Sequence, residues 1–239
     1  MIRTAGHGLY ILDSSGRIKK QWTQDDGLSS NVILGSYLDE SGDLWVATEN
    51  GIDRIELGSG LRKFGQNNQL KEYVNDVTVF HDRIFAATND GLLYLEKGNF
   101  DSRQFQKFPG IANQTWDLAS VGDHLFFANF NGFGSISNQW MTEYFVKDNT
   151  SYVLPIRDST RIVIGTQYGK IYTLKKEHGK WRTARDTLQI PARVLRMAQD
   201  QAGDIWVGSR YTGLFRIHPD TSDESLLDGS IVTTYDTAT

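Results

Sequence analysis

The chain has 239 residues, 39% of them hydrophobic, 12% aromatic and 23% charged, which is the composition of a folded globular chain and not of a disordered or fibrous one. A formal charge of −4 argues against a face built for duplex DNA or an anionic membrane, because phosphate contacts need clustered basic residues. The lack of cysteine excludes thiol nucleophiles, CxxC redox pairs and thiolate metal sites.

The opening MIRTAGHGLYIL has no long uninterrupted apolar run and does not read as a signal peptide. No stretch approaches the roughly 18 apolar residues of a membrane span. From there one phrase recurs: an apolar run, a turn ending in glycine, and a second apolar run. After the truncated copy IRTAGHGLYIL come GDLWVATENGIDRIEL from Gly42, DRIFAATNDGLLYLEKG from Asp82 and DHLFFANFNGFGSIS from Asp123. TRIVIGTQYGKIYTL follows from Thr160, and GDIWVGSRYTGLFRIHP from Gly203. The turn glycines Gly8, Gly51, Gly91, Gly132, Gly169 and Gly213 are spaced by 43, 40, 41, 37 and 44 residues, a mean period of 41.

Helical solenoids and β-propellers share a period near 40, so residue type decides between them. LWVAT, IFAAT, IVIGT and IWVGS are too short and too β-branched for helices, and turns of two or three residues join them to the next run. Each hairpin is flanked by two further apolar runs. VILGSYL, VNDVTVF, WDLASV, YVLPI and VLRMA precede it, while LRKFG, RQFQKF, WMTEYF and KWRTARD follow. Four strands per repeat is the pattern of a propeller blade. Labelled A to D from the axis outward, the second blade places Val32–Leu38 on A, Leu44–Thr48 on B, Gly51–Ile55 on C and Leu61–Phe64 on D.

The expected fold is therefore all-β, a β-propeller of four-stranded antiparallel blades. Blades fall at about 1–26 (partial), 27–66, 67–110, 111–148, 149–188 and 189–239 within one propeller region. The first enters at strand B, and the tail Ser230–Ala238 fills its own D position. Five full blades and one partial blade suit a fragment of a longer ring, such as a seven-bladed one, better than a closed ring.

Two repeats carry a recognisable motif. Gly27-Leu-Ser-Ser-Asn31, Asp39 to Gly42, Leu44-Trp45-Val46-Ala47-Thr48 and Gly51-Ile52 resemble the two-component regulator propeller repeats of bacterial sensor proteins. The last repeat keeps Asp200, Gly203, Ile205-Trp206-Val207-Gly208-Ser209 and Gly213-Leu214 but lacks the leader. The resemblance implies a periplasmic or otherwise extracytoplasmic sensory domain. It also implies a small-molecule or oligosaccharide ligand, and partners in the same polypeptide: the remaining blades, a β-sandwich and an output module, with a possible dimer in the full sensor.

Chemistry in the chain is sparse. His7, His81, His124, His178 and His218 stand at different phases of the repeat and do not converge on a metal; no catalytic residue, metal or cofactor is expected, and no nucleic acid. The D-x-x-G segments read as structural turns. Trp45 and Trp206, at one phase of strand B, are expected between blades, and Trp22, Trp140 and Trp181 on outer strands. Since D to A and B to C connections meet on one face around the axis, the ligand is expected there. Trp116, Tyr152, Tyr168, Arg193, Arg210, Tyr211, Asn31 and Asn50 are its candidate contacts. Amides and rings suit sugars, although asparagine also recurs in hairpins because it tolerates positive φ. The alternatives are a lyase or hydrolase on the same scaffold, resembling streptogramin lyases and using a histidine such as His7, and a propeller that binds proteins.

Overall fold

Short β-branched and aromatic runs separated by glycine-closed turns fold into strands throughout the computed structural model, which describes residues 1–57, 64, 69–96, 104–219 and 226–235. The chain divides into two compact units, residues 1–67 and 68–239. No described helix is long and apolar enough to cross a membrane.

In the first unit, β1 (Ile2–Arg3), β2 (Leu9–Leu12) and β3 (Ile18–Trp22) form one antiparallel sheet. A second is built from β4 (Ile33–Leu38), β5 (Asp43–Thr48) and β6 (Gly51–Glu56). Leu9, Trp22, Leu28, Ile33, Leu44 and Val46 make their shared core. The fourth strand expected at Leu61–Phe64 lies outside the described residues apart from Phe64.

In the second unit the four repeats give four four-stranded sheets. They comprise β7 (Val74–Phe80), β8 (Arg83–Thr88), β9 (Gly91–Glu96) and β10 (Gln106–Lys107); then β11 (Thr115–Val121), β12 (His124–Asn129), β13 (Gly132–Ser137) and β14 (Thr142–Val146). The third is β15 (Thr150–Pro155), β16 (Arg161–Thr166), β17 (Lys170–Glu177) and β18 (Lys180–Gln189), and the fourth β19 (Val194–Gln199), β20 (Ile205–Ser209), β21 (Leu214–His218) and β22 (Ile231–Tyr235). Each sheet is an antiparallel meander in chain order. Their first strands β7, β11, β15 and β19 lie side by side, which is the packing of propeller blades about their inner strands. The fold is an all-β propeller fold.

Burial follows the repeat. Val46, Ala86, Phe127, Ile164 and Val207, one position in successive B strands, are all sealed from solvent, as strands covered on one face by a neighbouring sheet require. The turn glycines explain the marker of the repeat. A Cβ on Gly8 would stand 2.0 Å from the Trp22 carbonyl oxygen, and one on Gly132 would stand 2.0 Å from that of Val146. Both glycines also take positive φ. The hairpin is thus pressed onto the chain leaving strand D, where no side chain fits.

The tryptophans correct the sequence-based expectation. Trp45 is 40% exposed and Trp206 half-exposed, so neither is a buried inter-blade wedge. The Trp45 Nε1–H donates to Asp39 Oδ2 and the Trp206 Nε1–H to Asp200 Oδ2, both at 2.8 Å. The same two aspartates accept, through Oδ1, the backbone amides of Ser41 and Asp43 and of Ala202 and Asp204. Across the indoles lie the Arg54 and Arg216 guanidiniums, which pair with Asp43 and Asp204. The D-x-x-G-D-x-W phrase therefore encodes a capped turn with an indole roof. Trp140 is likewise not on an outer strand: it holds a left-handed φ of 62° in the turn between β13 and β14, and its ring packs on Phe85, Tyr94 and Phe108. Trp22 and Trp181 do lie on outer strands and are buried.

Candidate ligand-binding site

Every complete inner strand carries a register slip at its second residue. The ladder skips Leu34 in β4, Asn75 in β7, Trp116 in β11, Ser151 in β15 and Leu195 in β19. A bulge leaves one residue unpaired and re-aims its side chain. In the second unit the consequence is a pocket of about 90 Å³ lined by all four of its bulge residues, Asn75, Trp116, Ser151 and Leu195, together with Arg193, Val194 and Arg196. The site is a product of the repeat: four strands deliver one residue each to the same place.

Polar side chains at these positions also tie the inner strands together, since adjacent blades share no backbone ladder. The Asn75 Nδ2 donates to the Thr115 carbonyl at 2.8 Å and the Ser151 hydroxyl to that of Val194 at 2.7 Å. One residue further on, Asp76, Asp117, Tyr152 and Arg196 form a second row. Asp76 accepts the Leu118 amide at 2.9 Å, and Asp117 the Val153 amide at 2.8 Å. Burial, and then the nearby Asp76 charge, push the Asp117 carboxyl up to about 7 despite that hydrogen bond. The Arg196 guanidinium lies over the Tyr152 ring, 5.4 Å from its centroid. Burial, followed by the Asp117 charge, holds the Tyr152 phenol above its ordinary value.

Hairpins and loops close the same end. Asn89, in the turn between β8 and β9, accepts from Asn75 at 3.1 Å and from Gln114 at 2.8 Å. This joins a B to C turn, a D to A loop and an inner strand, the convergence that the repeat phase implies.

Of the candidate contacts, Trp116 and Arg193 line the pocket. Tyr152 stands one residue beyond the Ser151 bulge, under Arg196. Arg210 and Tyr211 sit in the β20–β21 turn with the guanidinium 5.1 Å above the ring, and both act electrostatically on Arg193. Tyr168 is 72% exposed and does not line the pocket; its carbonyl accepts from the Gln189 side chain. In the first unit, Asn31 closes loops: its carbonyl accepts the Gly6 and Gly8 amides, and its Oδ1 the Gln24 amide. Asn50 donates to the Ser29 carbonyl. His7 is exposed, and its amide donates to Thr4 Oγ1. Among the described residues no group of three or more histidines and carboxylates is arranged to hold a metal.

Sequence reasoning does not single out Asn75, Asp76, Asp117, Ser151 and Arg196. A signal is nevertheless present: Asp76 and Asp117 stand at equal distances before Gly91 and Gly132, each the one charged residue of its strand.

Residues 27–50 match the family model described as Two component regulator propeller. No curated protein is significantly similar in sequence. Among solved structures, an extracellular domain described as part of a one component system of B. thetaiotaomicron is 13% identical with a TM-score of 0.48. That alignment covers 97% of this chain and 41% of the other. An extracellular domain described as part of a hybrid two component system of the same organism gives 19% identity and a TM-score of 0.49, covering 90% and 32%. The Cps50 (Swd1) β-propeller domain of Myceliophteria thermophila gives 12% and 0.49, covering 95% and 81%. The chain thus spans less than half the length of the first two.

Proposed function

We propose, starting from the two component regulator propeller repeat that this chain carries at residues 27–50, that the chain is a sensory module of a bacterial signal-transduction protein, displayed outside the cytoplasm. It binds a small polar ligand, and the remainder of the polypeptide converts that occupancy into an output. The observation that carries this reading is the pocket assembled from Asn75, Trp116, Ser151 and Leu195, one bulge from each inner strand of the second unit. A ligand seated there touches four blades at once. Occupancy therefore changes how neighbouring blades hold one another, which a binding signal needs if it is to leave the site.

Indole, amide and hydroxyl groups around one concavity suit an oligosaccharide end or a comparably polar small molecule, through ring stacking and directional hydrogen bonds. Calorimetric titration of the chain with a panel of neutral and acidic oligosaccharides and organic acids tests the reading. The expected result is micromolar binding by one class, lost in Trp116→Ala while circular dichroism stays that of the parent. Binding that survives Trp116→Ala unchanged, or saturable binding mapped away from the inner strands, overturns it.

A further inference from the structure

The pocket is lined by two arginines, Arg193 and Arg196, and the charge of Asp117 acts on Arg196. Arg193 is half-buried, and its Nε atom is sealed from solvent without a hydrogen-bond partner. An unpaired buried donor costs free energy unless something accepts from it. Its guanidinium is held below the usual arginine range by burial first and by the Arg210 charge second, so a like charge stands close to it. Among the described residues neither Arg193 nor Arg210 forms an ion pair with a carboxylate, and Arg193 is the one arginine among them whose buried Nε lacks an acceptor.

We infer that the ligand of the proposed sensory site carries an oxyanion, a carboxylate, sulfate ester or phosphate, and that Arg193 and Arg210 hold it. The inference rests on the binding role proposed above and adds the ligand's charge. An oxyanion presents acceptors to the orphaned Nε–H and to a terminal N–H of the same guanidinium, the fork geometry that lysine cannot supply. It also removes the repulsion between the two guanidiniums. The pocket of about 90 Å³ has room for a charged terminal group. The body of the ligand extends from it past Trp116 toward the exposed ring of Tyr211.

The test uses acetate, sulfate and phosphate as separate probes against chloride at matched ionic strength. They are read by the Arg Nε–H resonances of nitrogen-labelled protein and by the melting temperature. One or more of the three shifts a single Arg Nε–H resonance saturably, and that resonance is missing in Arg193→Gln. The arm that binds at the lowest concentration names the group. Arg193→Lys keeps the charge and weakens binding at least tenfold, and Arg210→Gln weakens it less. A response indistinguishable from chloride with all three anions, or equal affinity in parent and Arg193→Lys, overturns the inference. If neutral oligosaccharides bind in a Trp116-dependent way while the anions do not, the sensory site stands and its anionic ligand falls.

Discussion

The Asp117 carboxylate of β11 accepts the Val153 amide of β15 at 2.8 Å, joining two blades that share no backbone ladder. Its pKa near 7 gives this joint a pH dependence. Between the ordinary carboxylate range and pH 7 the folded chain holds a proton that the unfolded chain has lost. The stability contributed by Asp117 is therefore complete below about pH 4 and declines as the pH rises to 7, by at most roughly 1.4 kcal/mol per unit. Asp117→Asn keeps an acceptor for Val153 and removes the titration. Urea unfolding at pH 5, 6, 7 and 8 should show the parent losing stability over this window relative to the variant; parallel profiles would refute the assignment.

Asp39 and Asp200 behave oppositely. The indole N–H of Trp45 or Trp206, and then backbone amides, hold each carboxyl below its ordinary value. Their contribution is present above about pH 4 and is lost as the pH falls through the lowered value. Asp200→Ala and Trp206→Phe should each lower the melting temperature at pH 7, and the double variant should lower it by less than the sum, because one hydrogen bond is counted twice.

Trp206→Ala tests the same roof by packing. A buried tryptophan would cost about 3 to 5 kcal/mol. This half-exposed one, held by a single hydrogen bond and stacked 5.5 Å from Tyr235, should cost about 1 to 2 kcal/mol in chemical denaturation.

The turn glycines separate two penalties. Gly42 has φ +84°, and a methyl group added there would meet nothing within 4 Å, so Gly42→Ala should cost about 1 to 2 kcal/mol through backbone strain alone. Gly132→Ala adds a collision with the Val146 carbonyl and should cost about 3 kcal/mol or more. Equal losses in thermal unfolding would mean that the hairpin does not press on the outer strand.

Tyr168 offers a control within the candidate contacts. Because it is 72% exposed and outside the pocket, Tyr168→Ala should change stability by no more than about 0.5 kcal/mol and leave the ligand titration unaltered, in contrast to Trp116→Ala.

The fold is legible in the sequence because hairpin grammar and the 41-residue period are local and redundant, and strands β5, β8, β12, β16 and β20 fall where the apolar runs stand. The tryptophans mislead because identical phase suggests burial. Trp45 and Trp206 recur together with Asp39 and Asp200, and that pairing within the chain marks a hydrogen bond and not a core contact. Trp116 and Arg193 are readable from their place at the head of an inner strand. Asn75 and Ser151 are not, since only a register slip in the ladder turns them toward the pocket.

That slip has a wider consequence. A residue excluded from the ladder has no cross-strand partner opposite it, so its side chain escapes the pairing that constrains its neighbours, even where, as at Asn75 and Ser151, it also ties one blade to the next. Leucine, asparagine, tryptophan, serine and leucine again occupy the five slots within this one chain. Recognition can thus be rewritten most freely at Trp116 and Leu195, whereas a new letter at Asn75 or Ser151 also alters how one blade holds the next.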